Sequence, residues 1–357
     1  MEDLVYIIPN ATSLPSFAKL YDVPIGLIVL LAIAYGTVSL CAIIGNGVVL
    51  WIVVRSHRMR TVTNIFLANL AFADMLIGAL SIPFQFQSAL LQRWLLPQFM
   101  CPFCPFINVV SVNVSIFTLT SIAIDRYIIV VNPLWPRLTK RKAQGIIIAI
   151  WIVAIITALP MYVALGVSMI PDDVAISKMN LTNLFTNINQ TYNEDNYLVL
   201  PLKHFCHNIG ISPELLKLYN RFLVVIQYFL PVLLISGAYG RMAYTLYIET
   251  VNRRDNSQRQ HQMVYKLRRI DAINHRTHRN NNRNQSSNTN QLFINREKRK
   301  VLKLLVIIVV LFALFWLPLQ TYNAISDIFP QINEYEYINI IWFCCHWLAM
   351  SNSVLLP

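Results

Sequence analysis

Seven apolar stretches alternate with polar and charged ones along the chain, at about 25–54, 64–91, 105–131, 145–165, 215–247, 301–328 and 338–357. Each supplies close to or more than the ~20 apolar residues that a helix needs to cross a bilayer core. The pattern predicts an all-α membrane protein, a seven-transmembrane helix bundle. Outside the bundle lie an N-terminal tail (1–24), an outer segment (168–213) and an inner segment (249–296), with the helical domain running over 25–357. The tract 280–291 is nearly all Asn, Gln, Ser, Thr and Arg. Such a run buries no core and predicts disorder for the basic inner segment.

Composition agrees: 56% of residues are hydrophobic and 13% charged, with a mean hydropathy of +0.50. Soluble domains carry about 25% charge. The net charge of +12 raises the question of nucleic acid, but the cations are sorted by side. Arg55, Arg58 and Arg60 follow the first stretch, and Arg137, Lys140, Arg141 and Lys142 the third. Arg253, Arg254, Arg259, Lys266, Arg268, Arg269 and the run Arg296 to Lys300 follow the fifth. The alternate connections are richer in acids, with Asp172, Asp173, Glu194, Asp195, Asp327, Glu334 and Glu336. Lys and Arg stay in the cytoplasm, so the N-terminus is extracellular and the charge is an orientation signal, not a nucleic-acid footprint. Glu2 and Asp3 stand where a cleavable signal would be basic, so the first helix is expected to direct its own insertion. Glycosylation triplets begin at Asn10, Asn180 and Asn189, all on the expected outer side. A fourth, at Asn113, falls within a span and is expected to be silent.

Of six cysteines, Cys41, Cys344 and Cys345 lie in apolar helix and read as packing residues. Cys206 is alone in the large outer segment, and Cys101 lies where the third helix emerges on the same side. An oxidising exterior favours a bridge between them, with Cys104 a competitor one turn deeper.

Polar groups at membrane depth are expensive and therefore functional candidates. Asp74, Asn46, Ser115, Asn352 and Ser353 lie at comparable depths in helices one, two, three and seven. They read as a hydrogen-bonded knot, as a sodium or proton site, or as both; no other cofactor is expected. Pro160, Pro231 and Pro318 interrupt helices four, five and six, and a proline frees a carbonyl and bends its helix. Phe312 and Trp316 lie just before Pro318, one turn apart, as a candidate two-state element. Asp125-Arg126-Tyr127 closes the third apolar stretch on the cytoplasmic side.

Together these residues resemble the rhodopsin-like G-protein-coupled receptors. The matches are Gly45-Asn46, Leu70 with Asp74, Trp94 before Cys101, Asp125-Arg126-Tyr127, Trp151, Pro231 with Tyr239, and Phe312 to Pro318. The resemblance implies a plasma-membrane receptor that binds a ligand outside and opens its inner face to a heterotrimeric G protein. Arg126 would be held by Asp125 when inactive. Asn108 and Met350 stand where aminergic receptors and opsins carry an aspartate and a lysine, so neither subclass fits. The pocket is similar to that of neuropeptide Y-type receptors, and Trp347 to Ser351 also resembles tachykinin-like and RYamide or luqin-type receptors. By that likeness Gln85, Asn108, Gln227, Asn323, Asp327 and His346 would bind an amidated neuropeptide, with Asp327 meeting a ligand arginine. Glu334 and Glu336 would attract a cationic peptide.

Three positions depart from the pattern. Asn108 replaces a glutamine, Lys298 replaces an acid that would lock Arg126, and helix seven reaches Leu356-Pro357 instead of a complete Asn-Pro-x-x-Tyr. The last suggests a C-terminally truncated chain, and with it a second reading: a truncated or divergent receptor that binds ligand but couples poorly. A transporter would show paired broken helices or inverted halves. An enzyme would show a phosphate loop, a zinc-protease helix or a nucleophile elbow. The sequence has none of these, and Cys344-Cys345-His346 lie adjacent, so that on a helix they point apart rather than around a metal.

Overall fold

The computed structural model of the chain describes residues 6–9, 25–91, 93–132, 134–172, 197–200, 202–271, 282–335 and 337–355. In chain order its helices are α1 (Ile25–Arg55), α2 (Val62–Leu80), α3 (Ile82–Leu91), α4 (Met100–Val131) and α5 (Lys140–Ala164). There follow α6 (Pro213–Val224), a π segment (Val225–Phe229), α7 (Leu230–Asp271), α8 (Asn282–Ile328) and α9 (Ile338–Leu355). Among the described residues six helical stretches are long and apolar enough to cross a membrane: Ile25–Arg55, Val62–Leu91, Met100–Val131, Lys140–Ala164, Pro213–Asn252 and Val306–Ile328. α9, packed between α1 and α8, completes the seven-helix bundle.

Helix starts follow local chemistry. Thr61, Thr139 and Ser212 sit in extended backbone, and each side-chain oxygen accepts from the backbone N–H three residues on. Those bonds satisfy donors that a first turn leaves free. Within the bundle α4 is the central element, packed on α2, α5 and α7. α1 and α5 are peripheral, and the exposed Ile33, Leu40, Ile44, Ile148, Ile152, Ile156 and Leu159 present an apolar surface to lipid. α1 and α2 come close together at Gly78, where an added Cβ would lie 3.0 Å from the Ala42 Cβ. There Ser39 Oγ donates to the Gly78 carbonyl at 2.6 Å.

Prolines are handled in two ways. α5 and α8 run through Pro160 and Pro318. Ahead of Pro231 the helix widens into the π segment, because a residue without an N–H cannot close the usual bond. Pro83 adds a break that the apolar pattern did not announce: α2 ends at Leu80, Ser81 caps it, and α3 restarts at Ile82.

The described parts of the inner segment differ from expectation. The segment reads as disordered from its composition, but 249–271 continues α7 and 282–296 begins α8. No glycine or proline occurs from 249 to 271 or from 282 to 300, so neither described stretch carries a strong helix breaker. Outside, β2 (Leu165–Pro171) pairs antiparallel with β4 (Leu202–Asn208), and β1 (Tyr6–Pro9) with β3 (Tyr197–Leu200). The described ends of the outer segment therefore form paired strands. Asn10, Asn180, Asn189, Glu336, Leu356 and Pro357 lie outside the described residues, as do the side chains of Lys298 and Glu334. Asn113 is fully buried within α4, as its position in a span implies.

Candidate functional site

Three polar layers are stacked through the bundle. At the outer mouth, Cys206 of β4 is bridged to Cys101 in the first turn of α4, with 5.7 Å between their Cα atoms. Cys104 remains a free, buried thiol. The bridge ties the β2–β4 hairpin across the mouth. A second tie joins the connection before α4 to the same hairpin: the Trp94 N–H donates to the His204 carbonyl at 2.8 Å. Asp172 then pairs with Arg93 and lies 3.9 Å from the Lys203 ammonium.

The six expected ligand residues come from α3, α4, the π segment, α8 and α9, and no hydrogen bond joins any two of them among the described residues. Asp327 accepts from Arg221 Nε of α6 at 2.5 Å. Asn323, one turn before it, is exposed. Gln227 is turned inward, donating to Asn113 Oδ1 at 2.9 Å, while Asn113 donates to Thr157 at 2.8 Å. Tyr219 completes that chain through the Thr157 carbonyl. Gln85 and Asn108 are half-buried, and the Asn108 oxygen is enclosed without a hydrogen bond.

His346 sits in an aromatic slot. Its ring stacks on Trp342 at 4.7 Å and on Tyr35 at 5.8 Å. The Tyr35 hydroxyl donates to the Phe343 carbonyl at 2.8 Å, so its 3.0 Å contact with His346 Nδ1 requires the ring nitrogen to donate. A neutral His346 then carries its proton on Nδ1 and presents Nε2 as an acceptor.

The middle layer gathers the predicted polar core. Ser115 donates to Asp74 Oδ1 at 3.0 Å, and Ser353 faces the same carboxylate. Asn46 donates to the Ala42 and Ser353 carbonyls at 2.9 and 3.0 Å. Asp74 Oδ2, Asn46 Oδ1, Ser111 Oγ and Asn352 Oδ1 are buried with no protein partner. Beside this layer Asn69 links three helices, donating to Thr118 and accepting from the Trp151 indole, both at 2.8 Å. Phe312 and Trp316 lie 5.9 Å apart in the largest apolar cluster, with Ile116, Tyr228 and Met350.

At the inner end Arg126 lies 3.4 Å from Asp125 and donates to Thr63 of α2. Tyr239 packs with Tyr127 in the apolar cluster beside it. Sequence reasoning missed Arg221, Tyr35, Trp342, Thr63 and Thr157. Of these, Thr157 follows the same depth rule that flagged Ser115, and the others carry no local signal.

The chain matches the family described as 7 transmembrane receptor (rhodopsin family) over residues 45–357. It is 28% identical over 348 residues to the Tachykinin-like peptides receptor 99D of Drosophila melanogaster, covering 97% of this chain and 57% of that one. It is 28% identical over 349 residues to the human Substance-P receptor, covering 98% of this chain and 71% of that one. It is 29% identical over 330 residues to the Neuromedin-K receptor of Oryctolagus cuniculus, covering 92% and 58%. The chain thus spans little more than half of two of these relatives. Spans, bridge and family match agree: the chain belongs to the rhodopsin family of seven-transmembrane receptors, multi-pass proteins of the plasma membrane that are receptors and not enzymes.

Proposed function

We propose that the chain is a receptor for a neuropeptide, amidated and carrying an arginine near its C-terminus, and that it activates a heterotrimeric G protein. One observation carries the ligand class. Asp327, at the outer end of α8, already holds a guanidinium, that of Arg221. A carboxylate 20% exposed meets such a group more strongly than one in open water. Three relatives are named for peptides, which supports a peptide as the carrier of that group.

Asp327→Ala should weaken binding of an arginine-containing amidated peptide by tenfold or more, equivalent to about 1.4 kcal/mol. The same peptide with citrulline should lose far less. Equal losses for the two peptides would remove the ion pair from the reading.

Coupling follows from Arg126. Its contacts with Asp125 and Thr63 hold it within the bundle, and their release would free it for a G protein. The middle layer fits a sodium ion, since its unpartnered buried atoms at Asp74, Asn46, Ser111 and Asn352 are all oxygens. Hard cations take oxygen ligands. Those residues would hold the ion, and it would supply positive charge to a buried carboxylate. Sodium at ten times its Kd should stabilise the chain by about 1.4 kcal/mol. In Asp74→Asn the melting temperature should no longer respond to sodium over potassium. A response of unchanged size would place the ion elsewhere.

A further inference from the structure

The pair between Arg221 and Asp327 is asymmetric. The arginine side chain is 62% exposed and the aspartate 20%. The carboxylate is the desolvated half, fixed on α8, and it loses most if left alone. The guanidinium is mostly hydrated and can leave at small cost. It also uses its fork poorly, with a single hydrogen bond running from Nε to Oδ2. A guanidinium presenting two parallel N–H groups would make a stronger contact with the same carboxylate.

We propose that Arg221 is a resident counter-ion: it fills a cation site at Asp327 until a ligand's cationic group replaces it. Arg221 thereby sets the affinity and charge selectivity of the outer mouth. The proposal rests on the reading of Asp327 as the ligand's anchor and adds the group that competes for it. Binding is then an exchange of one cation for another, so net charge at the site is conserved and a neutral or anionic group cannot displace Arg221. Exchange also detaches α6 from α8 at this contact, so occupancy is coupled to the separation of two helices.

The test uses the full chain in membranes, with Arg221→Cys and the double variant Arg221→Cys, Asp327→Asn. The probes are two methanethiosulfonates, one with a trimethylammonium head and one with a sulfonate head. Rates are normalised to those with a free thiol, and background is taken from the unsubstituted chain. In Arg221→Cys the cationic reagent should react with the introduced thiol at least tenfold faster than the anionic one, because the vacated carboxylate recruits it. In the double variant the ratio should fall to near one. A ratio near one in the single variant, or one that Asp327→Asn leaves unchanged, overturns the proposal. In a second arm Arg221→Gln should tighten an arginine-containing amidated peptide three- to tenfold and leave its citrulline analogue unchanged. Weaker binding of the arginine peptide overturns the competition. If that peptide binds neither form while the reagent ratio holds, the peptide reading fails and the cation site stands.

Discussion

Cys206→Ser is expected to abolish peptide binding at the cell surface and to lower the melting temperature of the purified chain. The bridge joins positions 105 residues apart, and losing a native bridge costs about 2–5 kcal/mol in small secreted domains. The larger consequence is local. Cys206 is the residue of β4 opposite Val167 of β2, so one bond fixes the middle of the hairpin to the first turn of α4. With the bridge gone, the Trp94 tie to His204 and the Asp172 ion pairs are polar ties left at the mouth among the described residues. Asp172 and Lys203 are buried, and a buried ion pair contributes little net once its desolvation is counted. Cys104→Ala, three residues along, leaves the bridge intact and should lose much less on both measures. Normal melting and normal peptide binding in Cys206→Ser would show that the hairpin is held otherwise.

The second large effect belongs to the junction of α2, α4 and α5. Trp151→Ala should cost about 3 kcal/mol, because it removes a large ring packed 5.7 Å from Phe72 and leaves the Asn69 oxygen without its donor. Trp151→Phe keeps most of the ring and deletes only the N–H. Hydrogen bonds between membrane helices average about 0.6 kcal/mol, so the phenylalanine variant should melt close to the parent. Thermal unfolding of both variants in one detergent separates the terms. Equal losses would mean that the hydrogen bond, not the ring, holds the junction. An unchanged alanine variant would mean that the junction carries no stability.

What was legible in the sequence follows from what is local in it. Apolar run length located the six spans to within about five residues, since crossing a bilayer is a constraint on consecutive residues. Charge sorting oriented them for the same reason, and the oxidising exterior pointed to Cys101 and Cys206. The polar core was legible because burying Asp74 or Asn46 in lipid is costly wherever their partners are. Partner choice was not. Arg221 and Asp327 are 106 residues apart, and Tyr35 meets His346 across 311. No periodicity records such pairings; packing of the helices creates them. The helix over 249–271 and 282–296 was not legible for a different reason: composition reports whether a segment can bury a core, not whether a neighbouring helix can extend into it.

The π segment at Val225–Phe229 has a geometric consequence. One extra residue in a turn rotates everything before it by about 100° relative to everything after. Tyr219 and Leu223 thereby share an apolar cluster with α5, and Arg221 reaches α8. Residues before 225 are therefore out of phase with those counted back from Pro231. On a helical wheel drawn straight through, Arg221 would take a different face from the one it occupies.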